Sequence, residues 1–306
     1  MSGLLEMLTV PLFQRALLAA LVVGVSAPVV GTFLVQRRLS LLGDGIGHVA
    51  LTGVALGWLV GAATGAARAD AYAVPGAVVA AVIGAVAIET VRGRGRTSGD
   101  LALALLFYGG IAGGVVVIGL AGGTNANLMA YLFGSLATVG TADLVAILVM
   151  SAAILTVGLG LRTALFAVSH DEEFARSTGL PVGALNIAVA VVAALTVTVS
   201  MRVVGLLLVS ALMIVPVAAS QLVARSFRQT MRLAMVIGAT ACVAGLVVTF
   251  VVPLAPGAVI VVLAIAIYAG VAVLRPVLAR ARRRDGGSRE VSRGDATHDA
   301  AAGSAR

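Results

Sequence analysis

Residues 12–36 read LFQRALLAALVVGVSAPVVGTFLVQ and run into Arg37-Arg38. Apart from Arg15 near its start, this stretch holds no charge, and as a helix rising ~1.5 Å per residue it is long enough to cross about 30 Å of hydrocarbon. No small-residue cleavage site precedes the arginines, so the segment is expected to stay as a helix rather than be removed as a signal peptide.

Segments of the same kind follow along the chain, at 46–65, 72–91, 101–121, 142–161, 182–200, 203–223, 231–251 and 257–274. Together with the first they predict an all-α, polytopic membrane bundle of about nine spans. The short and glycine-rich segments widen that count to eight to ten. Composition agrees: 60% of residues are hydrophobic and 11% charged, with a mean hydropathy of +1.10, which excludes an ordinary soluble domain.

The net charge of +8 does not point to nucleic acid. Every basic residue is arginine, and most lie in short connections or in the tail, where membrane topology explains them. Arg37 and Arg38, then Arg92, Arg94 and Arg96, then Arg162 and Arg176, then Arg225 and Arg228 fall in alternate connections. The connections between them hold only Arg68 and Arg202. The N-terminus is therefore expected outside and the C-terminus in the cytoplasm. Residues 1–278 form one transmembrane domain, and 279–306 read as a disordered, basic cytoplasmic tail whose first arginines can meet anionic lipid. His298, in that tail, has no ligand-type residues clustered around it and reads as solvated. The lone cysteine, Cys242, excludes an internal disulfide or a cysteine-rich metal cluster, and no internal repeat is visible.

Ionisable residues are scarce inside the apolar segments, which draws notice to Asp44 and His48 in Gly43-Asp44-Gly45-Ile46-Gly47-His48. Four residues apart, their side chains share one helix face and can point at one object, most simply a divalent cation. The competing reading makes Asp44 a helix N-cap and His48 a residue bonded to a neighbour. Asp100 and Asp143 are placed like residues that cap or open a helix, and Glu89 is spaced to pair with Arg92.

The longest polar connection lies within 165–181. Asp171 can cap a short helix, Glu172 and Glu173 suit its first turn, and Gly179 the position just after its end, before Pro181 starts the next element. Phe174 and Leu180 are its apolar contacts. Such an exposed helix suits a partner that pushes on it; the competing reading, which composition alone favours, is an ordinary solvated loop.

Four blocks together resemble the membrane subunits of bacterial zinc and manganese ABC importers. They are Arg37 to His48 running on to Gly53-Val54-Ala55-Leu56-Gly57; Asn127-Leu128-Met129-Ala130-Tyr131-Leu132-Phe133-Gly134; Asp171 to Pro181; and Val204-Gly205-Leu206-Leu207-Leu208 through Ile214-Val215-Pro216-Val217-Ala218-Ala219. The likeness covers about residues 10–275. It implies a permease of the bacterial cytoplasmic membrane made of two copies of this chain, with two ATP-binding subunits inside and a metal-binding solute-binding protein outside. Asp44 and His48 would line the path, the two copies bringing their pairs together near the two-fold axis. Asp171, Glu172, Glu173, Phe174, Arg176 and Gly179 would form the coupling segment. Gly45 and Gly47 stand where larger or hydroxylated residues are common in the family, and are expected to loosen the start of that helix.

Two carboxylates and two imidazoles suit Zn²⁺ as a tetrahedron and Mn²⁺ with added water. The Met129–Gly134 likeness puts zinc ahead of manganese. No permanently bound cofactor is expected, and without a Walker-type phosphate loop the ATPase activity falls to a partner. The alternatives are a permease for iron chelates or vitamin B12, whose bulky cargo needs no Asp–His pair, and a proton-coupled secondary transporter, which would place more acidic residues mid-helix.

Overall fold

The computed structural model describes residues 10–65, 71–93, 99–120, 129, 131–134 and 140–275, and all regular structure among them is helical. Eight helices are long and apolar enough to cross a membrane. They are α1 (Pro11–Gln36), α2 (Leu42–Ala63), α3 (Ala73–Gly93), α4 (Gly99–Leu120), α5 (Thr141–Gly160), α8 (Val182–Ser200), α10 (Phe227–Val251) and α11 (Pro256–Arg275). Two short helices, α6 (Arg162–His170) and α7 (Glu172–Ser177), stand between α5 and α8. The segment read as the seventh of nine spans is α9 (Leu206–Gln221), whose 16 residues reach about 24 Å, short of a full hydrocarbon core. The bundle expected from hydropathy is present, with eight full-length spans and this shorter one.

α1 and α8 are the most buried spans, whereas α4, α5 and α11 leave most of their surface free for lipid or a partner. α1 packs on α5, α8, α9 and α10, so it forms the centre of one half. α2 lies between α3 and α4. Backbone proximity makes that sandwich: a Cβ on Gly53 would lie 2.3 Å from the Gly76 carbonyl oxygen of α3, and one on Gly110 of α4 would lie 2.7 Å from the Val49 amide. Among apolar helices in lipid, where no hydrophobic force drives association, such close approach lets dispersion act between backbones. Thr52 adds a directional contact by donating to the Gly110 carbonyl at 2.9 Å.

The structure corrects two expectations about α2. The helix begins at Leu42, four residues earlier than the hydropathy boundary, with Leu41 at the cap position, so Asp44 lies in its first turn and does not cap it. Gly45 and Gly47 do not loosen this start. Both are buried in continuous helix, Gly45 under Leu106 of α4 and Gly47 under Leu206 of α9, each within contact distance of an added Cβ.

Candidate translocation site and coupling surface

Asp44 and His48 stand one turn apart at the start of α2, both partly buried. Asp44 lines a cavity of about 350 Å³ with Leu41 of the preceding turn and Leu103, Ala104, Phe107 and Tyr108 of α4. His48 is not part of that lining, but its ring and that of Phe107 meet in a T-shaped contact, centroids 4.6 Å apart. Its Nδ1 is buried and has no hydrogen-bond partner. Buried polar atoms are seldom left so, and the imidazole is thereby committed to neither the backbone nor a neighbouring side chain. Among the described residues no group of three or more His, Cys, Asp and Glu side chains converges. The described residues of one chain therefore offer this pair of donors and no complete ligand set.

The segment 165–181 forms an elbow of α6 and α7. The Asp171 carboxylate accepts from the Phe174 amide at 2.9 Å, as an N-cap should. Arg176 and Glu172 pair at 3.2 Å across one turn. Beyond α7, Gly179 adopts φ +83°, the Gly179 amide bonds the Arg176 carbonyl and the Leu180 amide the Ala175 carbonyl. This is the left-handed, doubly bonded helix end for which glycine has no steric cost. Ala175 faces inward, fully buried, and Phe174 faces outward, 62% exposed. Glu172, Glu173, Arg176 and Ser177 line an open hollow of about 680 Å³ beside it.

Other sequence expectations fare differently. Glu89, almost buried, pairs with Arg92 at 3.0 Å as its spacing predicted. Asp143 accepts from the Gly140 amide at 3.0 Å, the helix-opening role read for it. It also binds Arg202 of the α8–α9 turn at 2.6 Å, a link the spacing could not show. Arg202 in turn donates to the Tyr131 hydroxyl at 3.0 Å and lies over its ring, and Tyr131 meets Trp58 of α2 edge-on. At the other end of the bundle, Arg37 donates to the buried Asn186 Oδ1 of α8. The tail 279–306, Arg68, Arg94, Arg96, residues 127, 128 and 130 of the 127–134 block and the side chain of Asp100 lie outside the described residues.

A model of the ABC 3 transport family matches residues 9–275. The chain belongs to that family. Among curated relatives it is 30% identical to the manganese transport system membrane protein MntC of Halalkalibacterium halodurans over 264 residues, 86% of this chain and 87% of the relative. It is 31% identical to the chelated iron transport system membrane protein YfeD of Yersinia pestis, over 83% and 82% of the two chains. Among solved structures, PsaBC from Streptococcus pneumoniae in complex with Fab superposes with a TM-score of 0.76 at 30% identity, covering 88% of this chain and 95% of that one. The family expected from the four sequence blocks is thus borne out. The protein is a multi-pass membrane protein of the bacterial plasma membrane and a transport component, not itself an enzyme. Like other ABC 3 family permeases, it works with ABC-transporter partners.

Proposed function

We propose that this chain is the permease of an importer for a divalent transition-metal ion, with Asp44 and His48 as its transit ligands. The observation that carries the reading is the pair itself: a carboxylate on a cavity wall and, one turn on, an imidazole with a buried uncommitted nitrogen. Both stand on a helix fixed by close packing on each side. Two copies of the chain would bring two such pairs together, giving four nitrogen and oxygen donors without thiolate. In this orientation, N-terminus outside and C-terminus inside, the pair lies in the inner half of the membrane, on the cytoplasmic side of the Tyr131–Arg202–Asp143 cluster.

A cation entering the path gives up hydration, and Asp44 supplies charge and His48 a nitrogen in its place. Because Asp44 lies in the first turn of α2, the partial positive charge of the helix N-terminus opposes the bound cation. The hold is therefore weaker than a structural metal site, as passage requires. Two ATP-binding subunits act on the inner face, with α7 as the coupling helix: Phe174 is the exposed apolar anchor, Glu172, Glu173 and Arg176 its rim, and Asp171 and Gly179 the caps that hold its shape. A metal-binding solute-binding protein delivers the ion outside, and the basic tail after 279 meets anionic lipid.

Manganese is the first choice of ion, supported by relatives named for manganese; the oxygen and nitrogen donors suit manganese and zinc alike. Zinc is the second reading, favoured by the likeness of the Met129–Gly134 block to zinc permeases. The test is uptake of radiolabelled Mn²⁺, Zn²⁺ and Fe²⁺ into metal-starved cells carrying the wild-type chain or His48→Ala. ATP-dependent uptake of one of these ions, lost in His48→Ala, is expected. Uptake of none of them by the wild type, or uptake independent of ATP, would overturn the proposal. Labelling of single cysteines introduced at 135 (outside) and at 174 and 290 (inside) tests the orientation, since the native Cys242 is fully buried.

A further inference from the structure

We propose that Arg37 is a positioning residue for coupling: through its bond to Asn186 it ties the start of the metal-site helix α2 to the elbow that the ATPase would move. The inference rests on the coupling reading of α7.

Arg37 is the C-cap of α1, and the turn that follows it is stiff. The amides of Arg37, Arg38 and Leu39 bond back to Phe33, Val35 and Leu34, the Leu42 amide bonds Leu39, and Arg38 adopts φ +57°. Leu39 and Leu42 are buried. A displacement of Arg37 therefore carries Leu42 and, two residues later, Asp44 with it. The other side of the contact is equally stiff. Leu180 bonds Ala175, Val182 bonds Leu180 and Leu185 bonds Pro181, so α7 and the first turns of α8 form one unit that holds Asn186.

The Arg37–Asn186 bond joins these two units across 149 residues of sequence. Its surroundings are charged. Burial pushes the Arg37 guanidinium below its usual value, Glu89 and then Glu172 pull it up, and Arg92 pushes it down again. Glu172 belongs to α7, so the guanidinium sits in the field of the coupling helix as well as against α8. A parallel apolar contact runs through Phe227, whose ring lies 5.6 Å from Phe33 of α1 and 4.7 Å from Phe166 of α6. Tilted rings in apolar contact can slide past one another, whereas a guanidinium bonded to a buried amide oxygen fixes direction. The polar bond is the part of this junction that transmits position.

The experiment reconstitutes the whole complex, with its ATPase subunits and solute-binding protein, in liposomes and reads Mn²⁺ transported per ATP hydrolysed. Asn186→Leu and Arg37→Met should each lower that ratio about 5-fold or more, the range of an intramolecular coupling of 1–3 kcal/mol. Metal binding and ATPase association should persist. Asn186→Asp keeps an acceptor for Arg37 and should restore the ratio, and the double variant should fall no further than the worse single one. A wild-type ratio in Asn186→Leu, a reduced yield of complex with an unchanged ratio, or an Asn186→Asp as uncoupled as Asn186→Leu would overturn the proposal. Should Arg37→Met fail to assemble, the Asn186 pair decides alone. Absence of ATP-dependent uptake of Mn²⁺, Zn²⁺ and Fe²⁺ alike in the wild type would remove the importer reading and this inference together, whereas normal ratios in the variants remove only the role of Arg37.

Discussion

The start of α2 and the elbow of α6 and α7 both place carboxylates in the first turn of a helix, yet they are built in opposite ways. At α7 neighbouring residues do the work: Asp171 caps, Glu172 reaches Arg176, and Gly179 turns the chain. At α2 no side chain caps the helix. Its position comes from residues far away in sequence, through the approach of Gly76 to Gly53 and of Gly110 to His48 and Val49. A region fixed by its neighbours in sequence tolerates loss of one contact, and a region fixed by backbone approach does not.

Substitutions can break that contrast, and the largest effect is expected where backbones touch. Gly53→Val puts a branched side chain where a single Cβ is already 2.3 Å from a carbonyl oxygen. Overpacking costs about 1–3 kcal/mol even where side chains can shift, and here backbone must move, so about 3 kcal/mol or more is expected. Thermal unfolding of the detergent-solubilised protein should show it as a large fall in Tm or as loss of the monodisperse species. A Tm close to wild type would mean that α2 and α3 are not held by backbone approach.

On the elbow the largest effect is expected at the exposed anchor. Phe174→Asp should weaken association with the ATPase subunits about 30-fold, the scale of a 2 kcal/mol hot spot, while metal binding at Asp44 and His48 is retained. Pull-down with uptake measured in parallel checks it. Wild-type association would make α7 a solvated elbow and move the coupling role to the Arg225–Arg232 connection. Smaller still, Gly179→Ala should cost about 1 kcal/mol, because alanine meets a left-handed backbone there but no clash. The elbow should survive it, visible as near-normal uptake with slightly lowered Tm. Smallest of all, Glu173→Ala should change ATPase affinity less than about fivefold, with the difference fading as salt rises. An effect of Glu173→Ala larger than that of Phe174→Asp would reverse the picture of an apolar anchor with a charged rim.

The same contrast explains what could be read in the sequence. The cap at Asp171, the glycine at 179 and the Glu89–Arg92 pair follow from spacings of three to eight residues, where helix geometry alone brings groups together. Apolar runs located the spans for the same reason. The helix-opening bond of Asp143 was legible, but its partner Arg202 was not, since 59 residues separate them and only the packed bundle joins α5 to the α8–α9 turn. Asn186 drew no reading in the sequence, since it is a single polar residue in an apolar run and nothing local marks Arg37 as its donor. The glycines of α2 misled because local propensity treats glycine as a weak point, whereas in this bundle Gly45 and Gly47 admit Leu106 and Leu206.

The central claim, that the start of α2 carries the metal, is tested most directly by Asp44→Asn. The substitution keeps the size and one acceptor oxygen, trades the other oxygen for an amide donor and removes the charge, so assembly with the ATPase and thermal stability should match wild type. Uptake of radiolabelled Mn²⁺ should fall by more than the about 10- to 100-fold typical of losing a ligand's supporting hydrogen bond. Uptake at the wild-type rate in an assembled Asp44→Asn complex would contradict the account.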